Sequence, residues 1–187
     1  MDREHILDAA AQIISQKGFH AASMQDIAEA VNLQKASLYH HVSSKQEILF
    51  DLLDQALDLL TERVSLVFSQ ELSTEEKLRQ GMRVYLASLA EHADLAVVLL
   101  LEHRSLDPEY RDRHIPRRDR FERLWRDLLL EGISSGAFRE TDPALSAKAL
   151  LGIMNWTITW YHAEGPLSIE TISDQFAALF LDGLRVR

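Results

Sequence analysis

The chain has 187 residues, 47% of them apolar, a net charge of −9 and no cysteine. That length and apolar content supply a buried core in one or two domains, and they exclude a disordered chain, a disulfide framework and thiolate chemistry. The opening MDREHILDAAAQII is acidic and amphipathic rather than a signal peptide, and no apolar run is long enough to read as a membrane span, so a cytoplasmic protein without a membrane partner is expected.

Asp2 to Lys17 reads as a first helix. Ile6, Ala9, Ala10, Ile13 and Ile14 recur near the helical period, Gly18 offers a C-cap and Phe19 turns back onto the core. Ser23, with Asp26 three residues on, makes a capping box for a second helix over 23–31, whose apolar side is Met24, Ile27, Ala28 and Val31. Asn32 marks a turn, because asparagine tolerates the left-handed conformation, and Leu33 plugs the angle. Gln34, a weaker cap than serine, opens a helix to His41 with Leu38 inward. Two short helices about a tight turn are the unit that lays one helix in the major groove of DNA. Ser44 then caps a long helix carrying the stripe Ile48, Leu49, Leu52, Leu53, Ala56, Leu60, Val64 and Val67. At roughly 33 Å it is long enough to join a reading head to a separate body.

Ser73 and Glu76 open a helix to about His92, with Met82, Tyr85, Leu86 and Leu89 inward. Asp94 to Ser105 is apolar almost all round and is expected at the centre of the fold. The piece LDPEYRDRHIP, bracketed by Pro108 and Pro116, reads as a loop or a single irregular helix. A helix resumes from Arg117 to about Ser134, with Phe121, Leu124, Leu128 and Leu129 inward. Pro143 after Asp142 starts another, running to about His162. Ser168 opens the last, whose apolar face is Ile172, Phe176, Leu179, Phe180 and Leu184. No strand alternation, repeat or low-complexity tract is found. The reading is an all-α protein of about nine helices, with a helix-turn-helix domain at 1–46 and a body at 47–187.

Ile27-Ala28, the run NLQKASLYHHV from Asn32 to Val42, and SKQEIL from Ser44 to Leu49 together resemble the DNA-binding signature of TetR-family transcriptional regulators. Departures fall at Asn32, usually glycine in the family, at Gln34, usually serine or threonine, and at Val42, usually phenylalanine. The resemblance implies a homodimeric repressor of a palindromic double-stranded DNA operator, released by a small-molecule inducer. The family's dimerisation helices correspond here to about 143–163 and 168–185. In that stretch Ala144, Ala147, Leu151 and Gly152 permit close approach.

The DNA-binding candidates are Ser23, Gln34, Lys35, Ser37, Tyr39, His40 and Lys45. Tyr39 is expected to meet a phosphate, against the plainer reading of an aromatic filling the head. Lys45, at a helix start, joins an ammonium to free backbone N–H groups, against an ordinary solvated lysine. Lys35, Ser37 and His40 are placed for base edges, and Gln34 either reads adenine or caps weakly. Net charge does not help, since Arg3, Lys17, Lys35 and Lys45 face a larger number of carboxylates over residues 1–50.

The ligand candidates are Tyr85, His103, Arg104, Arg117, Arg118, Arg120, Phe121, Arg123, Trp125, Asn155, Trp156 and Trp160. Eight arginines lie between Arg104 and Arg126. They read either as a solvated ion-pair lattice or as a site for ligand phosphates, which the guanidinium fork suits. Trp156 and Trp160, four apart, share a helix face that lines a cavity, packs a dimer or fills the core. The C-terminal LGIMNWTITWYHAEGPLSIETISDQF resembles TetR-family regulators that sense fatty-acyl, phenylacetyl or steroid-derived coenzyme A thioesters. That implies an acyl-coenzyme A inducer, with an uncharged hydrophobic molecule, or no small ligand at all, as the alternatives. No metal-ligand spacing, cofactor motif or catalytic constellation stands out, so no metal, no cofactor and no enzyme is expected.

Overall fold

A computed structural model describes residues 2–185. In chain order its helices are α1 (Arg3–Lys17), α2 (Met24–Ala30), α3 (Lys35–Leu38), α4 (Lys45–Phe68), α5 (Thr74–Glu91), α6 (Ala93–Leu101), α7 (Pro108–Ser134), α8 (Pro143–Asn155) and α9 (Ile169–Leu184), with 3-10 turns at His103–Ser105 and Trp156–Thr159. Among the described residues there are nine α-helices and no strand beyond one isolated bridge, Phe138 to Arg185.

The chain forms two compact units that are not contiguous in sequence: residues to Asp58 with His92–Arg118, and Leu59–Glu91 with Asp119 onward. In the first, Asp2 caps α1, accepting from the His5 N–H at 3.1 Å. The Ser23–Asp26 capping box is closed from both sides. Its core is Ile6, Ala10, Ile14, Phe19, Ile27, Leu38, Ile48, Leu49 and Leu53, all buried, and α1 packs on α6. In the second unit α5 packs on α9 and α8 around Leu78, Tyr85, Leu86, Trp125, Leu150 and Leu181. Gly132 lets Phe138 fold back, because a Cβ there would stand 2.1 Å from that ring.

Four expectations are corrected. Residues 108–116 are neither loop nor irregular: α7 starts at Pro108 and runs through Pro116 without a break. Pro108 sits at the first helical position, where the absent N–H is not missed. Pro116 withdraws one bond from the Asp112 carbonyl, and both residues are exposed, so that carbonyl is open to solvent and the loss costs little. α8 ends at Asn155, short of His162. The hydroxyls of Thr157 and Thr159 donate to the carbonyls of Met154 and Trp156 at 2.7 Å each, competing with the helical ladder and tightening the chain into a 3-10 turn. α3 is one short turn, because Gln34 gives it no side-chain cap and Tyr39, His40 and His41 are mediocre helix formers. α6 is also less enclosed than its composition suggests, with Leu101 55% exposed.

Candidate nucleic-acid interface and ligand site

The turn between α2 and α3 is set by Asn32, at φ 55°, and by the Leu33 N–H donating to the Ala28 carbonyl at 2.8 Å. That geometry buries Leu38 and leaves Gln34, Lys35, Tyr39 and His40 exposed on the other side, with Ser37 half-buried. Of the expected DNA contacts, Gln34, Lys35, Tyr39 and His40 are therefore open to solvent and Ser37 partly so. Ser23 is engaged instead: its hydroxyl donates to Asp26 Oδ2 at 2.7 Å. The hydrogen bond from Lys17, with those from Ser23, holds the Asp26 carboxyl well below its ordinary range.

Lys45 is placed differently from expectation. Its ammonium turns inward, donating to the carbonyls of Phe19 at 2.8 Å and Ala22 at 2.7 Å, and stands 4.4 Å from the centre of the Phe19 ring. Two of its three donors thus close the α1–α2 turn. The next two residues make ties of their own. The Gln46 amide donates to the Ser105 carbonyl at 2.9 Å and accepts from the Asp107 N–H at 3.0 Å. Glu47 accepts from the Ser43 N–H at 2.6 Å and pairs with Arg3, which also reaches Asp51 at 2.6 Å. Hydrogen bonds from Ser43 hold the Glu47 carboxyl low.

Further along α4 lies a buried polar pair that the sequence reading missed. His114 is 2% exposed and neither ring nitrogen has a partner; Asp54 Oδ1 stands 3.9 Å from Nδ1. Burial, then the charges of His103, Arg118 and Arg117, push His114 down to about 4. Burial raises Asp54 despite Arg117, whose Nε lies 3.1 Å away but is not aligned as a hydrogen bond. A signal existed: His114 falls in helical register with the buried Phe121, Trp125 and Leu128, visible only once 108–116 is read as helix.

In the second unit Tyr85, Phe121, Trp125 and Asn155 do come together. Tyr85 stacks on Phe121 at 5.8 Å between centroids and meets Trp125 edge-on at 5.9 Å, and Phe68 closes the box against Trp125 at 5.2 Å. The Tyr85 hydroxyl donates to Asn155 Oδ1 at 2.5 Å, and burial pushes its ionisation up. The Trp125 indole N–H is buried without a partner. Trp156 and Trp160 do not line this box: they are 67% and 40% exposed, and Trp160 touches Phe176 edge-on. Among the arginines, Arg117 is committed to Asp54 and Asp58, and Arg118 is also engaged. Arg104, Arg120 and Arg123 are exposed, whereas His103 is half-buried and lowered by that burial and by Arg118. His103, Arg104, Arg117 and Arg118 belong to the first unit, and Arg120 and Arg123 to the second.

α8 and α9 present an apolar surface to solvent. Leu145 is 66% and Leu179 72% exposed, beside a groove of about 320 Å³ lined by Ala149, Phe180 and Gly183. Among the described residues no cluster of His, Asp and Glu is arranged to hold a metal ion, and no single helix is long and apolar enough to cross a membrane.

Residues 6–52 match the family described as bacterial regulatory proteins, tetR family, and residues 71–184 match the Tetracyclin repressor-like C-terminal domain. The chain belongs to the TetR family. It is a DNA-binding transcriptional regulator. A relative is the HTH-type transcriptional repressor KstR2 of Mycolicibacterium smegmatis, 30% identical over 97% of this chain and 90% of that protein. Among solved structures, the TetR-family regulator PfmR of Thermus thermophilus is 37% identical, with a TM-score of 0.89, covering 97% of this chain and 99% of PfmR. AibR, solved with isovaleryl coenzyme A and operator DNA, is 29% identical with a TM-score of 0.89, covering 95% of this chain and 96% of AibR. The names of these TetR-family relatives are those of regulators, not enzymes.

Proposed function

We propose that this protein is a cytoplasmic, homodimeric repressor that binds a palindromic operator through α3 and is released by an acyl-coenzyme A thioester. The observation that carries the ligand reading is the buried, unpartnered indole N–H of Trp125 inside a box of four rings. A buried donor without an acceptor costs stability, and a ligand carbonyl in that box would relieve the cost. The rings supply the apolar contact an acyl group needs, and the exposed Arg120 and Arg123 suit the nucleotide phosphates, which must stay near water. AibR, so similar in fold, was solved with a ligand of this class and with its operator. The exposed apolar face of α8 and α9 supports pairing of two copies, and two-fold pairing of two short reading helices gives a palindromic site. Release follows if the thioester prefers a conformer whose paired heads no longer match the operator spacing.

The test starts from a duplex selected by the protein from a randomised pool. The complex is titrated with isovaleryl coenzyme A, with isovaleric acid and with free coenzyme A. The reading expects release by the thioester alone. Release by the acid at the same concentration would point to the alternative, an uncharged or simple apolar inducer held by the rings. No release by any of a series of thioesters would favour a regulator without this ligand class.

A further inference from the structure

Three consecutive residues at the start of α4 tie it to three different places. Lys45 reaches the α1–α2 turn and Glu47 the α3–α4 turn and α1, both inside the helix-turn-helix. Gln46 alone of the three leaves it, bonding the Ser105 carbonyl and the Asp107 N–H in the connection that enters α7. Only one orientation of the amide satisfies both partners, since a flipped amide would set NH₂ against N–H. The Asp107 N–H is one of the donors that the start of α7 leaves without an intrahelical acceptor, and Pro108 has none to offer, so Gln46 caps that helix from outside.

The contact is the first rung of a ladder inside the first unit. Gln46, Phe50, Asp54 and Asp58 recur every fourth residue, along one face of α4. Their partners advance along α7: Asp107, then Tyr110 and Arg113 against Phe50, then His114 and Arg117 against Asp54, then Arg117 again against Asp58. The other ties between the reading helices and residues 92–118 are less directional. α1 packs against α6, Ser15 makes an exposed hydrogen bond to Asp94, and the His20 ring stands at the long distance of 3.5 Å from the Ser105 hydroxyl.

We propose that Gln46 is a positioning residue for operator reading: it fixes the helix-turn-helix relative to the start of α7, and it is therefore a place where a change in α7 is passed to the reading helices. The proposal rests on α3 being the operator-reading helix. Gln46 touches no base or phosphate in this account, and it acts through the angle at which α3 is held.

The test compares wild type with Gln46→Ala, which loses both bonds, and Gln46→Glu, which keeps the acceptor for Asp107 and loses the donor to Ser105. Affinity is measured for a duplex selected by the wild type from a randomised pool, over a salt series, with melting recorded alongside. Gln46→Ala is expected to weaken binding on the order of 10-fold, with Gln46→Glu between it and wild type. The salt slope stays unchanged because no phosphate contact is lost. A second measurement needs no DNA. The chain has no cysteine, so Glu29→Cys and Arg111→Cys carry spin labels in protein diluted with unlabelled copies. The Glu29 to Arg111 distance distribution is expected to be narrow in wild type and broader in Gln46→Ala. Unchanged distances together with unchanged affinity, or a Gln46→Ala defect explained wholly by lowered melting, overturns the proposal. Failure of the wild type to select any duplex would instead sink the reading of α3, while the label distances still decide the role of Gln46.

Discussion

Both units carry ion pairs around an apolar core, but in the first the polar ties gather along α4. In the second the pairs Arg63–Glu91, Arg83–Asp174 and Lys148–Glu122 each join a different pair of helices around a centre built of rings. Around α4 in the first unit lie the Lys45 clamp, the Gln46 amide, the Arg3 pairs and the Asp54–Arg117–Asp58 chain. The second unit is centred on Phe68, Tyr85, Phe121 and Trp125, and leaves Leu145 and Leu179 exposed. Hydrogen bonds fix angles and apolar contacts mainly fix volume. In the proposed function, a head that presents α3 at a set angle needs the first, and a body that accepts an apolar group and a second copy is better served by the second.

The comparison breaks most visibly at Trp125. Trp125→Ala empties the centre of the ring box and should lower stability by about 3–5 kcal/mol, read from urea unfolding. A loss below about 1 kcal/mol would mean that the box is not the core of the second unit. Leu179→Asp places a charge on each side of a two-fold face and should turn a dimer into a monomer at micromolar concentration by sedimentation, with operator binding lost and each chain still folded. An unchanged dimer would put the interface elsewhere.

In the first unit, Lys45→Met removes two charge-assisted bonds to carbonyls and should cost roughly 2 kcal/mol. Operator binding should weaken for all sequences without a change in salt slope. A slope reduced by about one would return Lys45 to the phosphate role expected from its place after Ser44.

At pH 7 the smallest effect is at His114. It is neutral in the fold at a value of about 4, against an ordinary 6.5. Between those values the unfolded chain binds more protons, so stability is full above 6.5 and falls as the pH drops toward 4, by up to about 1.4 kcal/mol per unit from this group. Asp51 and Asp54, raised by burial, act in the opposite sense and recover stability as they protonate. His114→Leu should therefore be at least as stable as wild type at pH 7 and lose less between pH 6.5 and pH 4.5. Equal losses in the two proteins would place the proton elsewhere.

Much of the fold was legible because its signals are local. Ser23 with Asp26, Asn32 at the turn, Pro143 after Asp142 and Ser168 before the last helix each act within four residues, and each stands where it was read. The misreadings involve competition between local preferences. Pro116 suggested a break, yet its exposed position makes the lost bond cheap. Trp156 and Trp160 looked like one helix face until threonine hydroxyls at 157 and 159 tightened the backbone. In the site, Lys45 was recognised by position but not by direction, since its acceptors are carbonyls 23 and 26 residues away. Gln46 and His114 were missed for a related reason: the partners of Gln46 lie in the connection before α7 and that of His114 lies on α4, each about 60 residues away and outside any window along the chain.

The division of labour between the units is tested most directly with Trp125→Phe, which keeps a ring and deletes the unpartnered N–H. Operator affinity and the isovaleryl coenzyme A concentration needed for half-release are measured on the same preparations. The account predicts unchanged operator affinity and a several-fold higher thioester requirement, because the ligand loses one buried hydrogen bond worth about 1 kcal/mol. Weakened operator binding with an unaltered thioester response would contradict it.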